Sequence, residues 1–245
     1  MTTVVGCENS TSRRSGPTPQ LPDAGSFQQR WGVARAAPVV DAMVDYLQLE
    51  ATIGGYEAFG VTAERFERFY DSAAALLGCG RDEVAFCTSA TDAWWRAFSS
   101  IPLAPGDRVL TGRAEYSANM FGLIQAKARG VDVVIIDNDS EGRLDLQQLA
   151  SELERGAALV ATTYISMASG GLNPVAEIGQ LAKGAGAIYL LDATQAVGQI
   201  NLDVTEIGCD FLVFTGRKWL RGLRSTAGLF VRGGRARIAQ PVGIR

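Results

Sequence analysis

From residue 83 onward, short β-branched runs alternate with helical patterns, and this alternation restricts the fold more than any other feature of the chain. EVAFCT (83–88) reads as a strand and ATDAWWRAFSS opens a helix. DRVLTG (107–112) and VDVVIID (131–137) read as strands, separated by a helix over SANMFGLIQAKARG (117–130) that Gly130 closes. LDLQQLASELERG (144–156), AALVATTYIS (157–166) and PVAEIGQLAKGAG (174–186) continue as helix, strand and helix, the last with proline near its start. AIYLLD (187–192), DFLVFTG (210–216) and TAGLFV (226–231) are three further strands. Strands that alternate with helices predict an α/β fold with a mostly parallel sheet. The last two strands lack a clear helix between them, so one is expected to run antiparallel. Upstream, PVVDAMVDYLQLE (38–50) has helical spacing, GGY (54–56) interrupts it, and 61–78 reads as a second helix with Phe66, Phe69, Tyr70, Ala74 and Leu77 as its apolar stripe.

The 245 residues contain no histidine, which excludes Ser-His-Asp and Cys-His catalysis and histidine metal sites. Acid–base chemistry must then come from Lys, Asp, Glu, Tyr or Cys. Cys7, Cys79, Cys87 and Cys209 show neither CxxC spacing nor a metal-ligand cluster, and read as reduced thiols of a cytosolic protein. A net charge of −3 gives no nucleic-acid footprint. Residues 1–24 read as a flexible leader without the apolar region of a secretory signal, and no stretch is long and apolar enough to span a membrane.

In open α/β sheets ligands bind beyond the carboxyl ends of the strands. Ser89, Ala90 and Thr91 follow the first strand of the series, and Glu115, Tyr116 and Asn119 follow the second. AIYLL ends at Asp192, with Gln195 after it, and DFLVF runs into Thr215, Arg217 and Lys218 within FTGRKWLRGLR. Each residue also has a plainer role. Most lysines are solvated, Asp192, Ser89 and Thr91 suit helix caps, and Tyr116 suits a core. Together they match the needs of pyridoxal 5'-phosphate. Its aldehyde needs a lysine amine, its ring nitrogen a carboxylate, its phosphate a helix N-terminus with hydroxyls, and its flat ring an aromatic neighbour. A nucleotide-binding α/β protein is a weaker alternative, because no GxGxxG or Walker pattern is present.

LLDATQAVGQINLDVTEIGCDFLVFTGRKWLRG (190–222) resembles the central signature of the class V aminotransferase family of fold-type I pyridoxal phosphate enzymes, which includes cysteine desulfurases, selenocysteine lyases and isopenicillin-N-epimerase-like proteins. GGYEA (54–58), TSATDAWWRAF (88–98), PGDRVLTGRAEYSAN (105–119) and SGGLNPVAEIG (169–179) resemble its other blocks, in the same order. The resemblance implies a three-layer αβα sandwich with about seven strands. It implies that Lys218 forms the Schiff base and then moves the substrate's α-proton through a quinonoid that Asp192 stabilises at the pyridinium nitrogen. Gln195 would bond the phenolic oxygen and Tyr116 would stack on the ring, where desulfurases usually carry histidine. The backbone of Ala90, together with Thr91, would hold the phosphate, with Thr215 and Arg217 on its other side; Arg217 too stands where many desulfurases have histidine.

The family usually follows its lysine with Gly-Pro-Arg-Gly-Thr-Gly, whereas Gly222-Leu223-Arg224-Ser225-Thr226-Ala227 stands here, so a turn that needs positive φ is expected to be strained. Met167 occupies a cofactor-facing loop position that is commonly polar in relatives. The resemblance further implies a large domain over 25–235, with 236–245 as the start of a C-terminal small domain that would otherwise supply the substrate-gripping arginine, leaving an exposed core edge on the first helices. The expected protein is a cytoplasmic homodimer acting on an amino acid, as a transaminase, a C–S lyase or an epimerase. None of the four cysteines stands at the desulfurases' catalytic-loop position. The alternative is a catalytically silent module that at most binds the cofactor or dimerises.

Overall fold

The computed structural model describes residues 34–234, so the expected leader at 1–24 and the segment 236–245 lie outside the described residues. Two helices come first, α1 (Ala37–Ile53) and α2 (Gly55–Leu77). The alternating series follows as β1 (Val84–Cys87), α3 (Ala90–Ser100), β2 (Arg108–Gly112), α4 (Ser117–Ala128), β3 (Asp132–Ile136), α5 (Leu146–Glu154), β4 (Leu159–Thr163), α6 (Val175–Gly184), β5 (Ile188–Asp192), α7 (Val204–Ile207), β6 (Phe211–Thr215) and β7 (Ala227–Val231).

The strands form one seven-stranded sheet in the order β1-β7-β6-β5-β4-β2-β3. Only β7 runs against its neighbours, antiparallel to both β1 and β6. The link from β6 to β7 contains no crossover helix, and a parallel return would need one. The expectation of one reversed strand at the end of the series is met. β4 and β6 are buried at every position, as strands covered on both faces should be.

Helices cover both faces. On one, α3 and α4 set Trp94, Phe98, Leu123 and Ala126 against Val109, Leu159, Leu190 and Val213. On the other, α2, α5, α6 and α7 set Leu77, Leu149, Ile178 and Ile207 against Leu110, Val160, Tyr189 and Leu212. Fully burying one such large apolar side chain is worth about 1.5–3 kcal/mol, so these two cores supply most of what opposes chain entropy. The short helix α7 was not expected. Asp203 starts it by accepting from the amides of Thr205 and Glu206, and Gly208 ends it at φ 74°. It lies so close to α6 that a Cβ on Gly179 would meet Ile207 O at 1.9 Å.

The start of the chain differs from expectation in two ways. The interruption is confined to Gly54, at φ 95°, and α2 begins at Gly55 rather than near residue 61. Gly54 closes α1 through its amide to Glu50 O and opens α2 through its carbonyl to Ala58 N, so a single left-handed residue does the work of a turn. The buried face of α2 is Ala58, Thr62, Ala73, Ala74 and Leu77. Phe66, expected in the stripe, is 45% exposed and packs on Phe59 and Tyr46 instead. No residue of α1 is buried, and Val40, Met43, Val44 and Leu47 are exposed along it.

Candidate active site

The carboxyl ends of β1, β2, β4, β5 and β6 converge on one cleft. At the β1 end, Ser89 caps α3, its Oγ accepting from Asp92 N at 3.0 Å. Ala93 N reaches Ser89 O, so the amides of Ala90 and Thr91 are the orphans of this helix start, and both residues line the cleft. Positive partial charge at the helix start favours an anion there.

At the β5 end sits Asp192, 4% exposed. Its Oδ1 accepts from Thr194 N at 2.9 Å and its Oδ2 from Asn119 Nδ2 at 2.8 Å. Asn119 belongs to the first turn of α4 and also reaches Glu115 Oε2 at 3.3 Å. Glu115 Oε1 accepts from Thr163 N on β4. The neighbouring β2, β4 and β5 ends are thus tied through two carboxyl groups and one amide. Burial, and then the charge of Asp192, raise the Glu115 carboxyl to about 8.

Lys218 follows β6 by three residues and is 6% exposed. Its Nζ lies 6.0 Å from the centre of the Tyr116 ring, across the cleft. Among the described residues Nζ has neither a hydrogen bond nor an ion pair. Burial lowers the amine to about 8; the charge of Asp192 works against this shift and Arg217 adds to it. A buried lysine of this kind is partly neutral near pH 7 and can act as a nucleophile or a base. The turn after it is held backbone to backbone. Gly222 N donates to Gly216 O at 2.7 Å, and a Cβ on Gly222 would meet that oxygen at 3.0 Å. Ser225 takes φ 62°, so the strain expected where the family has glycine is present.

All eight residues expected in the site line this cleft: Ala90, Thr91, Tyr116, Asp192, Gln195, Thr215, Arg217 and Lys218. Met167 lines it too. The Thr215 hydroxyl is already engaged, donating to Thr226 O at 3.1 Å, so it is left as an acceptor toward the cleft. Reasoning from sequence gave no role to Asn119, Thr163 or Thr194. Asn119 stands four residues after Glu115, a helical spacing that offers a signal, but its partnership with Asp192 depends on β2, β4 and β5 being adjacent. Thr194 Oγ1 is buried on the same cleft without a partner among the described residues. An orphan hydroxyl, an unpaired lysine, two open helix amides, a buried carboxylate and a tyrosine ring make a donor and acceptor set that fits pyridoxal 5'-phosphate. Among the described residues no group of His, Cys, Asp or Glu is arranged to hold a metal ion, and no helix is long and apolar enough to cross a membrane.

The chain is similar to known proteins in both sequence and fold. A probable cysteine desulfurase of Methanothermobacter thermautotrophicus is 30% identical over 196 residues, 79% of this chain and 49% of that protein. One from Pyrococcus abyssi is 30% identical over 200 residues, 79% of this chain and 50% of the relative. The chain therefore spans about half the length of the curated relatives it matches. The apo structure of a cysteine desulfurase from Thermococcus onnurineus superposes with a TM-score of 0.81 at 25% identity, covering 89% of this chain and 56% of the other. The family model of aminotransferase class V matches residues 34–236, and the chain belongs to that family.

Proposed function

We propose that the chain carries the cofactor-binding half of a pyridoxal 5'-phosphate enzyme that acts on a small amino acid. One observation carries this reading: a buried lysine with no hydrogen bond or ion pair among the described residues shares a cleft with a buried carboxylate oriented by two hydrogen bonds, opposite a tyrosine ring and beside a helix start. When bound, pyridoxal phosphate supplies an electron sink that eases removal of a proton from the amino acid's Cα.

The remaining work falls to the chain. Lys218 Nζ would hold the aldehyde and, once displaced by substrate, take the α-proton and return it. Asp192, oriented by Asn119 and Thr194, would keep the ring nitrogen protonated. Gln195 would donate to the phenolic oxygen, and Tyr116 would lie against the ring. Ala90 and Thr91 would receive the phosphate at the start of α3, with Arg217 and the Thr215 oxygen opposite. The relatives' description as cysteine desulfurases supports a small amino acid as substrate, but none of the four cysteines stands at the desulfurases' catalytic-loop position, so the residues present do not choose between transamination and C–S cleavage. The family resemblance supports a homodimer and a cytoplasmic protein.

The strained Ser225 favours a second reading, in which the fold binds the cofactor without turning over an amino acid. Purified protein supplied with pyridoxal phosphate is expected to gain visible absorbance that Lys218→Ala abolishes. Absence of that band from the wild type would sink the enzyme reading. A band that cysteine and other amino acids leave unchanged would favour the second.

A further inference from the structure

The loop after β5 carries Gln195, and the segment after β6 carries Lys218 and Trp219; the two meet at close range. Trp219 Nε1 donates to Gln195 Oε1 at 3.0 Å. Gly198, at φ 91°, lets the backbones touch, since a Cβ there would meet Trp219 C at 2.9 Å and Leu220 N at 3.1 Å. The carbonyl of Gln195 accepts from Gln199 Nε2 at 2.6 Å, which closes its own loop.

Indole Nε1 can only donate, so the atom facing it must be the amide oxygen of Gln195. The Gln195 amide is thereby oriented without ambiguity, although amide oxygen and nitrogen are otherwise easily exchanged. Nε2 remains for the cleft, and it has no partner among the described residues. Gln195 is 8% exposed and lines the cleft beside Asp192 and Lys218. A buried amide free to turn would offer donor and acceptor by turns. Held by Trp219, it offers only a donor.

We propose that Trp219 is a positioning residue: its indole N–H locks the Gln195 carboxamide so that Nε2 donates to an acceptor oxygen of the bound cofactor. The proposal rests on the cofactor reading above. It ties the residue next to the lysine to the electronics of the ligand, although the only contact used is with Gln195.

The test compares wild type, Trp219→Phe, Gln195→Leu and the double variant, each loaded with pyridoxal 5'-phosphate. Phenylalanine keeps an aromatic ring and removes the donor. The dissociation constant of the cofactor is expected to rise about five- to tenfold in Trp219→Phe, the value of one hydrogen bond. The pH midpoint of the visible chromophore should move up in both single variants, because a ring oxygen without its donor keeps more negative charge and holds the chromophore's proton longer. In the Gln195→Leu background, Trp219→Phe should add nothing, since Trp219 acts through that amide. A cofactor-free readout does not depend on either variant binding ligand: exchange of the Trp219 indole proton should be at least about tenfold faster in Gln195→Leu than in wild type. A Trp219→Phe protein with wild-type affinity and midpoint overturns the proposal. So does an equal effect with and without Gln195, or an indole proton indifferent to residue 195. Wild-type protein that gains no visible absorbance overturns the cofactor reading and the proposal with it, whereas a normal wild-type band with an unaltered Trp219→Phe band overturns the proposal alone.

Discussion

Asn119 Nδ2 meets Asp192 Oδ2 at 2.8 Å, joining the first turn of α4 to the last residue of β5, with both side chains almost wholly buried. The bond fixes one oxygen of Asp192, while the other is held by Thr194 N, and each keeps acceptor capacity for the cleft. A buried carboxylate that loses a donor bears the desolvation penalty uncompensated. Asn119→Ala is therefore expected to cost about 1.5–3 kcal/mol in urea unfolding, in the range for hydrogen bonds to charged groups. It should also weaken binding of pyridoxal phosphate, because Asp192 would no longer be held in one orientation. An unfolding midpoint equal to wild type would show that the pair contributes nothing.

Ser225 offers a change in the opposite direction. Its φ of 62° lies in the left-handed region, where a Cβ costs roughly 1–2 kcal/mol. Glycine removes that cost and adds some freedom to the unfolded chain, so Ser225→Gly should stabilise by about 0.5–1 kcal/mol. The variant is expected to raise the urea midpoint while leaving the slope unchanged.

These two residues also mark how far the sequence was legible. The strand ends and the strain at Ser225 could be read from alternation and from a family pattern, because both are local properties. The Asn119–Asp192 bond spans 73 residues and exists only because β4 lies between β2 and β5. Nothing local in α4 announces that neighbour. Phe66 failed for the same reason in reverse. Its helical spacing suited a buried stripe, but burial depends on what packs against α2, and there Phe66 meets the ring of Tyr46 on α1 and stays 45% exposed. The Trp219–Gln195 bond was likewise out of reach, since adjacency to the lysine says nothing about where an indole points.

Glu115 gives the fold a distinctive pH dependence. Its carboxyl is raised from 4.5 to about 8, chiefly by burial and then by the charge of Asp192. Between those values the folded chain holds a proton that the unfolded chain has lost. Its contribution is full below about 4.5 and is lost as pH rises through about 8. Glu115→Gln stays neutral throughout. The unfolding free energy of wild type should fall relative to Glu115→Gln between about pH 4.5 and pH 8, by at most about 1.4 kcal/mol for each pH unit crossed, and run parallel to it above. Parallel profiles for the two proteins would place the Glu115 carboxyl at its ordinary value.

Lys218 should titrate in the opposite sense and report the chemistry of the cleft. Burial lowers its amine from 10.5 to about 8, against the charge of Asp192 and with the help of Arg217. Only the neutral amine attacks an aldehyde. At pH 7 an amine titrating at 8 is neutral about a tenth of the time, against roughly three parts in ten thousand for an ordinary lysine. The rate at which visible absorbance appears after mixing with pyridoxal phosphate should thus climb from pH 6.5 and be half-maximal near about 8. Asp192→Asn removes a charge that favours the protonated amine and should move that midpoint down, while Arg217→Gln should move it up. The lowered amine also bears on stability: between 8 and 10.5 the unfolded chain binds the proton that the folded chain has released, so the penalty is full below about 8 and disappears by about 10.5. Lys218→Met is then expected to unfold at higher urea than wild type at pH 7, with the difference shrinking as pH approaches 10.5. A capture rate that keeps rising beyond pH 10, with no stability gain from methionine at pH 7, would mean that Lys218 is an ordinary solvated lysine.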